Sequence, residues 1–255
     1  MLTVQNIADF IDSRAPFDTQ LDFDNCGLLV GDPAAEVRGV HFALDCTDAV
    51  IDEAIAAGAN VIVTHHPVIF SARKNLREDD PDARMLCRLV RERIAVISAH
   101  TCLDRAPGGV NDALARALEL TDVTGEDFLR VGSLPMELPA VAVCLYIKTQ
   151  LGDTVRLMGA PDRIVRRIGL CSGSGSEYWQ DALAMGADAF LSGEIRHHHA
   201  LSAAAAGMIC FECGHHATEK PGISALADAL QNWDDVVKCN VCVTISQAAA
   251  YTCSL

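Results

Sequence analysis

Ala57-Gly58-Ala59-Asn60, followed by the apolar run Val61-Ile62-Val63, recurs 128 residues later as Met185-Gly186-Ala187-Asp188, followed by Ala189-Phe190-Leu191. The flanks repeat too: Val37-Arg38-Gly39-Val40 corresponds to Val165-Arg166-Arg167-Ile168 at the same offset. Further on the offset falls to 115, where His100 and Asp104 correspond to His215 and Glu219. The missing 13 residues have a home in the charged stretch 70–82, which reads as a surface loop inserted in the first copy. Self-similarity of this kind marks an internal duplication. The expectation is one domain spanning 1–255, with lobes of roughly 1–128 and 129–255.

Each copy has the same expected order. A strand (40–44; 167–171) leads into an amphipathic helix closed by a glycine just past its end (48–57 with Gly58; 177–185 with Gly186). A short apolar strand comes next (60–63; 189–191), then a second helix (82–92; 198–206) and a third strand. Apolar strands alternating with helices predict an α/β fold, with largely parallel strands covered by helices on both faces. Residues 118–140 have weak periodicity and read as a bridge between the copies. A closing helix (223–230) and strand (236–245) are expected next, and the tail 247–255 reads as loose.

Composition narrows the function classes. Half of the 255 residues are apolar, enough for a sizeable core, and 21% are charged. A net charge of −14 argues against an electrostatic footprint for nucleic acid or anionic membrane. An anionic substrate would therefore need local help from metal or backbone donors. No run reaches the roughly 20 apolar residues of a membrane helix, and the start lacks a signal-peptide pattern, so a soluble cytoplasmic protein is the expectation. Cys253 is third from the end and makes no prenylation box. The eleven cysteines have no regular framework, and Cys46, Cys87, Cys144 and Cys171 read as small hydrophobes within strands and helices. Cys210/Cys213 and Cys239/Cys242 are spaced C-x-x-C, but both fall in runs that read as strands, where i and i+3 face opposite ways.

The chemistry-bearing residues cluster at the ends of the expected strands, where parallel sheets form their sites. Thr64-His65-His66-Pro67 closes one strand. There two imidazoles can splay towards two ions about 3.5–4 Å apart as Pro67 forces a turn. His100/Asp104 and His215/Glu219 each set an imidazole and a carboxylate within one turn of chain. A carboxylate can bridge two ions while an imidazole caps one. His100 can act as a ligand, as an orienter of a ligand or as a general acid/base, the last two being favoured. His216 reads as a neighbour facing away. His197-His198-His199 spread over about 200° of a helix, so Glu194 and His198 are the plausible inward members, against an exposed helix start. His41, inside a strand, reads as a core histidine. Ser172, Gly173, Ser174, Gly175 and Ser176 come after a strand and open a helix, which is either a phosphate-cradling turn or a plain strand-to-helix turn. Asp24 or Asn25, among turn formers, falls near the site.

Six motifs, Asp24-Asn25-Cys26-Gly27-Leu28-Leu29-Val30-Gly31, Leu44-Asp45-Cys46-Thr47, Thr64-His65-His66-Pro67, Leu103-Asp104, Ser192-Gly193-Glu194 and Gly214-His215-His216-Ala217-Thr218-Glu219, resemble in order the NGG-interacting factor 3-like proteins, also called GTP cyclohydrolase 1 type 2 homologues. The likeness covers essentially the whole chain and matches the short form, without the domain that some members insert between the halves. It implies two intertwined α/β halves and a dinuclear divalent-metal site ligated by His65, His66, Asp104, His215 and Glu219. It also implies a toroidal homohexamer with the metal sites facing an inner cavity. The position before the glycine of the first motif is commonly Val in the family and is Cys26 here. The cysteine load and the triple histidine also depart from the family pattern and bear on metal preference and redox sensitivity. The implied function is a metal-dependent hydrolase of GTP cyclohydrolase type, acting on a nucleotide or related phosphorylated substrate. In that reading His100 and Glu219 are catalytic, Ser172, Gly173, Ser174 and Gly175 hold phosphate, and two divalent ions drawn from Zn, Fe, Mn, Co or Ni are the cofactors. The alternative is a non-catalytic metal-binding or regulatory scaffold.

Overall fold

The computed structural model describes residues 1–248; the end of the tail expected to be loose, with Cys253, lies outside the described residues. The chain begins with α1 (Val4–Arg14), β1 (Gly27–Val30), β2 (Gly39–Ala43), α2 (Asp48–Ala56), β3 (Val61–Thr64), α3 (Pro81–Glu92), β4 (Ala95–Ser98) and α4 (Thr101–Arg105). It continues through α5 (Val110–Ala117), β5 (Thr121–Thr124), β6 (Arg130–Pro139), α6 (Ala140–Leu151), β7 (Arg156–Met158), β8 (Ile164–Cys171) and α7 (Trp179–Ala184). It closes with β9 (Ala189–Ser192), α8 (His197–Ala205), β10 (Ile209–Glu212), α9 (His215–Gln231), α10 (Asp234–Cys239) and β11 (Cys242–Ile245).

Two compact units result, one of residues 1–107 with 223–248 and one of residues 108–222. The sequence places its division near residue 128; the units divide instead at Pro107 and again at Gly222. The physical reason is β11, which pairs parallel with β2 and so returns the end of the chain to the first unit.

The first unit holds a five-stranded sheet ordered β1-β4-β3-β2-β11, parallel except where β1 runs against β4. β2, β3 and β4 are buried along their whole length, as parallel strands covered on both faces must be. Ile51, Ala54, Leu86 and Leu89 of α2 and α3 pack with Ile62 and Val96 on one face. Local chemistry sets the helix ends. Thr47 caps α2 by accepting the Val50 N–H at 3.3 Å. Asp80 caps α3 by accepting from Asp82 and Ala83, ahead of Pro81 in the first turn.

The second unit holds a six-stranded sheet ordered β5-β6-β8-β9-β10-β7. Its centre, β8-β9-β10, is parallel, and its outer pairings are antiparallel. Successive side chains alternate between faces: Leu191 and Phe211 pack with α5 and α6, while Phe190 and Cys210 pack with α7 and α8. Cys210 and Cys213 fall in opposite clusters, as the C-x-x-C spacing on a strand requires. Cys239 closes a helix rather than a strand, because the run expected as strand 236–245 begins inside α10.

The two copies share detailed geometry. Val40 pairs with Val61 as Ile168 pairs with Ala189, and Asn60 and Asp188 each take the N–H at position 38 or 166 on a side-chain oxygen. Gly58 and Gly186 both come directly after a helix with positive φ (71° and 81°), the conformation that ends a helix most cheaply in glycine.

Buried Arg130, at the start of β6, is held by Asp112 of α5 through Nε and, at 3.4 Å, through a second nitrogen; it also donates to the carbonyls of Asp127 and Leu129 at 2.9 Å. Burial works against ionisation of Asp112, but the Arg130 hydrogen bonds outweigh it and hold the carboxyl below its usual range. A depressed folded value stabilises the fold above the ordinary carboxylate range and loses that contribution as the pH falls through the depressed value. Asp112→Asn leaves the guanidinium buried without its counter-charge, and chemical denaturation at pH 7 should show a loss of about 3 kcal/mol. The deficit relative to wild type should shrink as the pH is lowered towards 2.

Candidate metal centre

In the first unit the site is built on the segments just past the carboxyl ends of β3 and β4. β3 ends at Thr64, whose hydroxyl donates to the His66 carbonyl at 2.8 Å and shares a 2.8 Å bond with Ser98 of β4. That knot sets the turn before Pro67 and presents both histidines beyond the strand end. His65 is fully buried and His66 half-buried, with ring centroids 5.1 Å apart. His100 stands just past β4, with its ring 5.1 Å from that of His65 and 5.5 Å from that of His66. One nitrogen from each of the three lies within 4.8 Å of the others, a spacing that a single cation can bridge. Asp104 of α4 adds a carboxylate, with Oδ1 3.5 Å from His65 Nε2.

In the second unit β10 ends at Glu212, and α9 opens with His215. Its Nε2 lies 3.0 Å from Oε1 of buried Glu219, one helical turn on. Gly173 backs this pair in a left-handed conformation (φ 56°); a Cβ there would lie 3.3 Å from His215 Nε2 and collide with the Glu219 carboxylate.

The ring nitrogens decide what these side chains can do. His65 Nδ1 donates to the Ala99 carbonyl at 2.8 Å. His66 Nδ1 donates to Asp45 at 2.7 Å, His100 Nδ1 to Asp24 at 2.9 Å and His215 Nδ1 to Glu194 at 2.9 Å. Each acceptor is a carbonyl or carboxylate oxygen, so Nδ1 carries a hydrogen and Nε2 is the nitrogen turned towards other candidate ligands, Asp104 at 3.5 Å from His65 and Glu219 at 3.0 Å from His215. This is the arrangement by which proteins orient imidazoles towards a divalent metal. His41 contrasts: its Nδ1 meets Thr244 at 2.8 Å and its Nε2 meets Glu53 at 3.2 Å, so both nitrogens are committed within the core.

The supporting carboxylates are kept ionised. Burial opposes the charge on Asp24, but hydrogen bonds from His100 and from the Thr101 hydroxyl and N–H hold its carboxyl well below the usual range. The Ser174 hydroxyl, donating at 2.7 Å, is the main force lowering Glu194; partial burial opposes it and His215 reinforces it. Cys26 packs behind His100, with Sγ accepting the His100 N–H at 3.3 Å and lying 3.4 Å from Asp24 Oδ2.

Several expected site residues have other roles. The Ser172 N–H goes to Asn111 at 2.8 Å and the Gly173 N–H to Thr218 at 3.1 Å, so two of the four amides expected around a phosphate are spent on protein acceptors. Glu194 is exposed, but its carboxylate meets His215 Nδ1 at 2.9 Å and so can orient that ring. His198 is exposed and stacks edge-on against His199 with centroids 4.2 Å apart, while His199 bonds Ser176 at 2.9 Å. None of the triple histidine joins a group able to hold a metal among the described residues. Asp45 and the Ala99 carbonyl were not singled out as orienters by sequence reasoning. A carboxylate just past an adjacent parallel strand was the available signal for Asp45; a backbone oxygen leaves none.

The family model for Duf34/NIF3 (NGG1p interacting factor 3) matches residues 2–250. The chain belongs to this family. Among its relatives are proteins named GTP cyclohydrolase 1 type 2 homolog from Lactococcus lactis (32% identical, covering 91% of this chain and 94% of the relative) and Clostridium acetobutylicum (29%, covering 96% of each). A crystal structure of a Bacillus cereus protein related to NIF3 superposes with a TM-score of 0.94 over 100% of this chain and 99% of its own, at 23% identity, a likeness of fold. The two mixed sheets flanked by helices are thus the architecture of this Duf34/NIF3 chain's family.

Glu194 touches no metal position itself and acts through His215, so its removal separates orientation from ligation. Glu194→Ala should weaken Zn²⁺ or Mn²⁺ binding about 10- to 100-fold in isothermal titration, with an unchanged circular dichroism spectrum.

Proposed function

We propose that this Duf34/NIF3 chain is a divalent-metal-dependent hydrolase acting on a nucleotide or related phosphorylated compound. The observation that carries the reading is the shared orientation of His65, His66, His100 and His215, each with Nδ1 committed to an oxygen so that Nε2 is the nitrogen presented for ligation. In this reading, as the family resemblance implies, His65, His66, Asp104, His215 and Glu219 would hold two divalent ions. The mixed imidazole and carboxylate set suits Zn, Fe, Mn, Co or Ni, and differs from the closed four-sulfur or sulfur–nitrogen set of structural zinc. Bound metals would supply Lewis acidity and neutralise developing negative charge.

The protein's own part is then positional and protonic. Asp24 fixes the His100 tautomer, so Nε2 can accept a proton from an attacking nucleophile and return it to a leaving group. Glu219 is buried beside His215, where a carboxylate would complement the cationic centre it would serve. The names of the relatives point to a cyclohydrolase, and the resemblance to a toroidal homohexamer; both belong to this proposal.

Elemental analysis of untagged protein, paired with its mass in solution, should give ~2 divalent ions per chain and a hexameric mass. Chelation should abolish nucleotide hydrolysis and metal return should restore it. His65→Ala and Glu219→Ala should each lose metal and turnover together. Metal-loaded protein inert towards every nucleotide, or turnover unchanged in Glu219→Ala, rejects the hydrolase and leaves the scaffold reading.

A further inference from the structure

Phenylalanines among the described residues are buried or half-buried with two exceptions, Phe23 at 60% exposure and Phe70 at 52%. The two exceptions touch each other. Their ring centroids lie 6.1 Å apart at 52°, and Phe70 meets His100 edge-on at 6.3 Å. An exposed aromatic pair gains little from burial, so folding alone does not account for its placement against the imidazole cluster.

Phe70 also lines a cavity of about 580 Å³ together with His66, Asp45, Arg73, Lys74 and Asn75. Most charges on that lining are paired: Asp45 with His66, and Arg73 with Asp80 and Asp82. Lys74 makes no ion pair among the described residues, so it is the cation of that lining whose ammonium is not already engaged by a carboxylate, although the wall carries three carboxylates against two cations. The loop is held in place by Asn25, whose side-chain amide donates to the Ile69 carbonyl at 2.6 Å. Phe70 is therefore presented by a braced backbone, the condition under which a flat surface binds a ring at little entropic cost.

We propose that Phe70, backed by Phe23, is a stacking platform for a planar heteroaromatic ring, and that Lys74 takes the anionic end of the same molecule. The substrate class is then a nucleotide-like compound, with a flat ring on the aromatic pair and a negative group on Lys74, its reacting bond close to His66 and His100. This inference rests on the hydrolase reading for its site but concerns binding, which can be read without turnover.

Isothermal titration of the metal-loaded full chain with GTP and with inorganic tripolyphosphate tests it. Phe70→Ala should weaken GTP about 10-fold or more, leave tripolyphosphate unchanged, and be rescued by Phe70→Trp. Lys74→Gln should weaken both probes by about 2- to 5-fold. The platform is overturned if wild type binds no GTP, if Phe70→Ala leaves GTP affinity intact, or if that variant weakens tripolyphosphate equally. GTP bound through Phe70 but never hydrolysed overturns the hydrolase and keeps the platform; hydrolysis with affinity indifferent to Phe70 does the reverse.

Discussion

Parallel pairing of neighbouring strands is the constraint on which the candidate centre depends. β3 and β4 run side by side in register from Val61 opposite Ala95 to Thr64 opposite Ser98. Their carboxyl ends therefore stop at the same level, and the residues beyond each end must emerge side by side. His65 and His66 continue from one strand and His100 from the other. The Thr64–Ser98 hydroxyl bond and the Ala99 N–H to the Thr64 carbonyl (2.9 Å) extend the lock just past the ladder. β2 adds Asp45 beyond its own end, where it meets His66. Candidate ligand, orienting carboxylate and carbonyl acceptor are thus placed by one feature of the backbone.

The second unit uses the same backbone with a different allocation of side chains. β8, β9 and β10 repeat the register of β2, β3 and β4, and Cys213 donates to the Ser192 carbonyl as Ala99 donates to that of Thr64. By that register Gly193 and Glu194 stand where the first copy has His65 and His66. Glu194 has become the acceptor that orients His215, while Gly193 contributes no side chain at all. The sheet register relates Ser98 to Glu212, an offset of 114, whereas His100 and His215 differ by 115. One residue has therefore slipped between strand and helix. His100 precedes α4 whereas His215 begins α9, which lets the second histidine reach a carboxylate at i+4.

The duplication and its three central strands were legible because burial on both faces forces uninterrupted apolar runs, and glycines after helices punctuate them. β5 and β6 were not. Thr121–Thr124 is exposed along its whole length, and β6 carries a register shift between Ser133 and Leu138, so neither shows the alternation that would announce a half-buried strand. The opening of 236–245 read as strand for the opposite reason. Val236 and Val237 favour strands, yet Val236 is buried in a short helix that ends in left-handed Asn240. The candidate ligand residues stood out by type and spacing. The partners that orient them came from distant parts of the chain, such as Asp24 for His100, and their pairing exists only once the fold brings them together.

Close packing explains why the second copy could not simply keep the ligands of the first. A Cβ at Gly193 would sit 2.7 Å from the Gly173 carbonyl, 2.8 Å from His215 Cα and 2.8 Å from Thr218 Oγ1. Any side chain there would push α9 away from the β8–α7 turn and break the bond from the Gly173 N–H to Thr218. The helix itself sets His215 and Glu219 side by side, and seating its start against that turn places the pair against Gly173. The second copy therefore exchanges a pair of donors at the strand end for a single imidazole and carboxylate on a tightly seated helix. That exchange requires glycine at 173 and 193, and it places the orienting role on Glu194, the first position in the loop with room for a side chain.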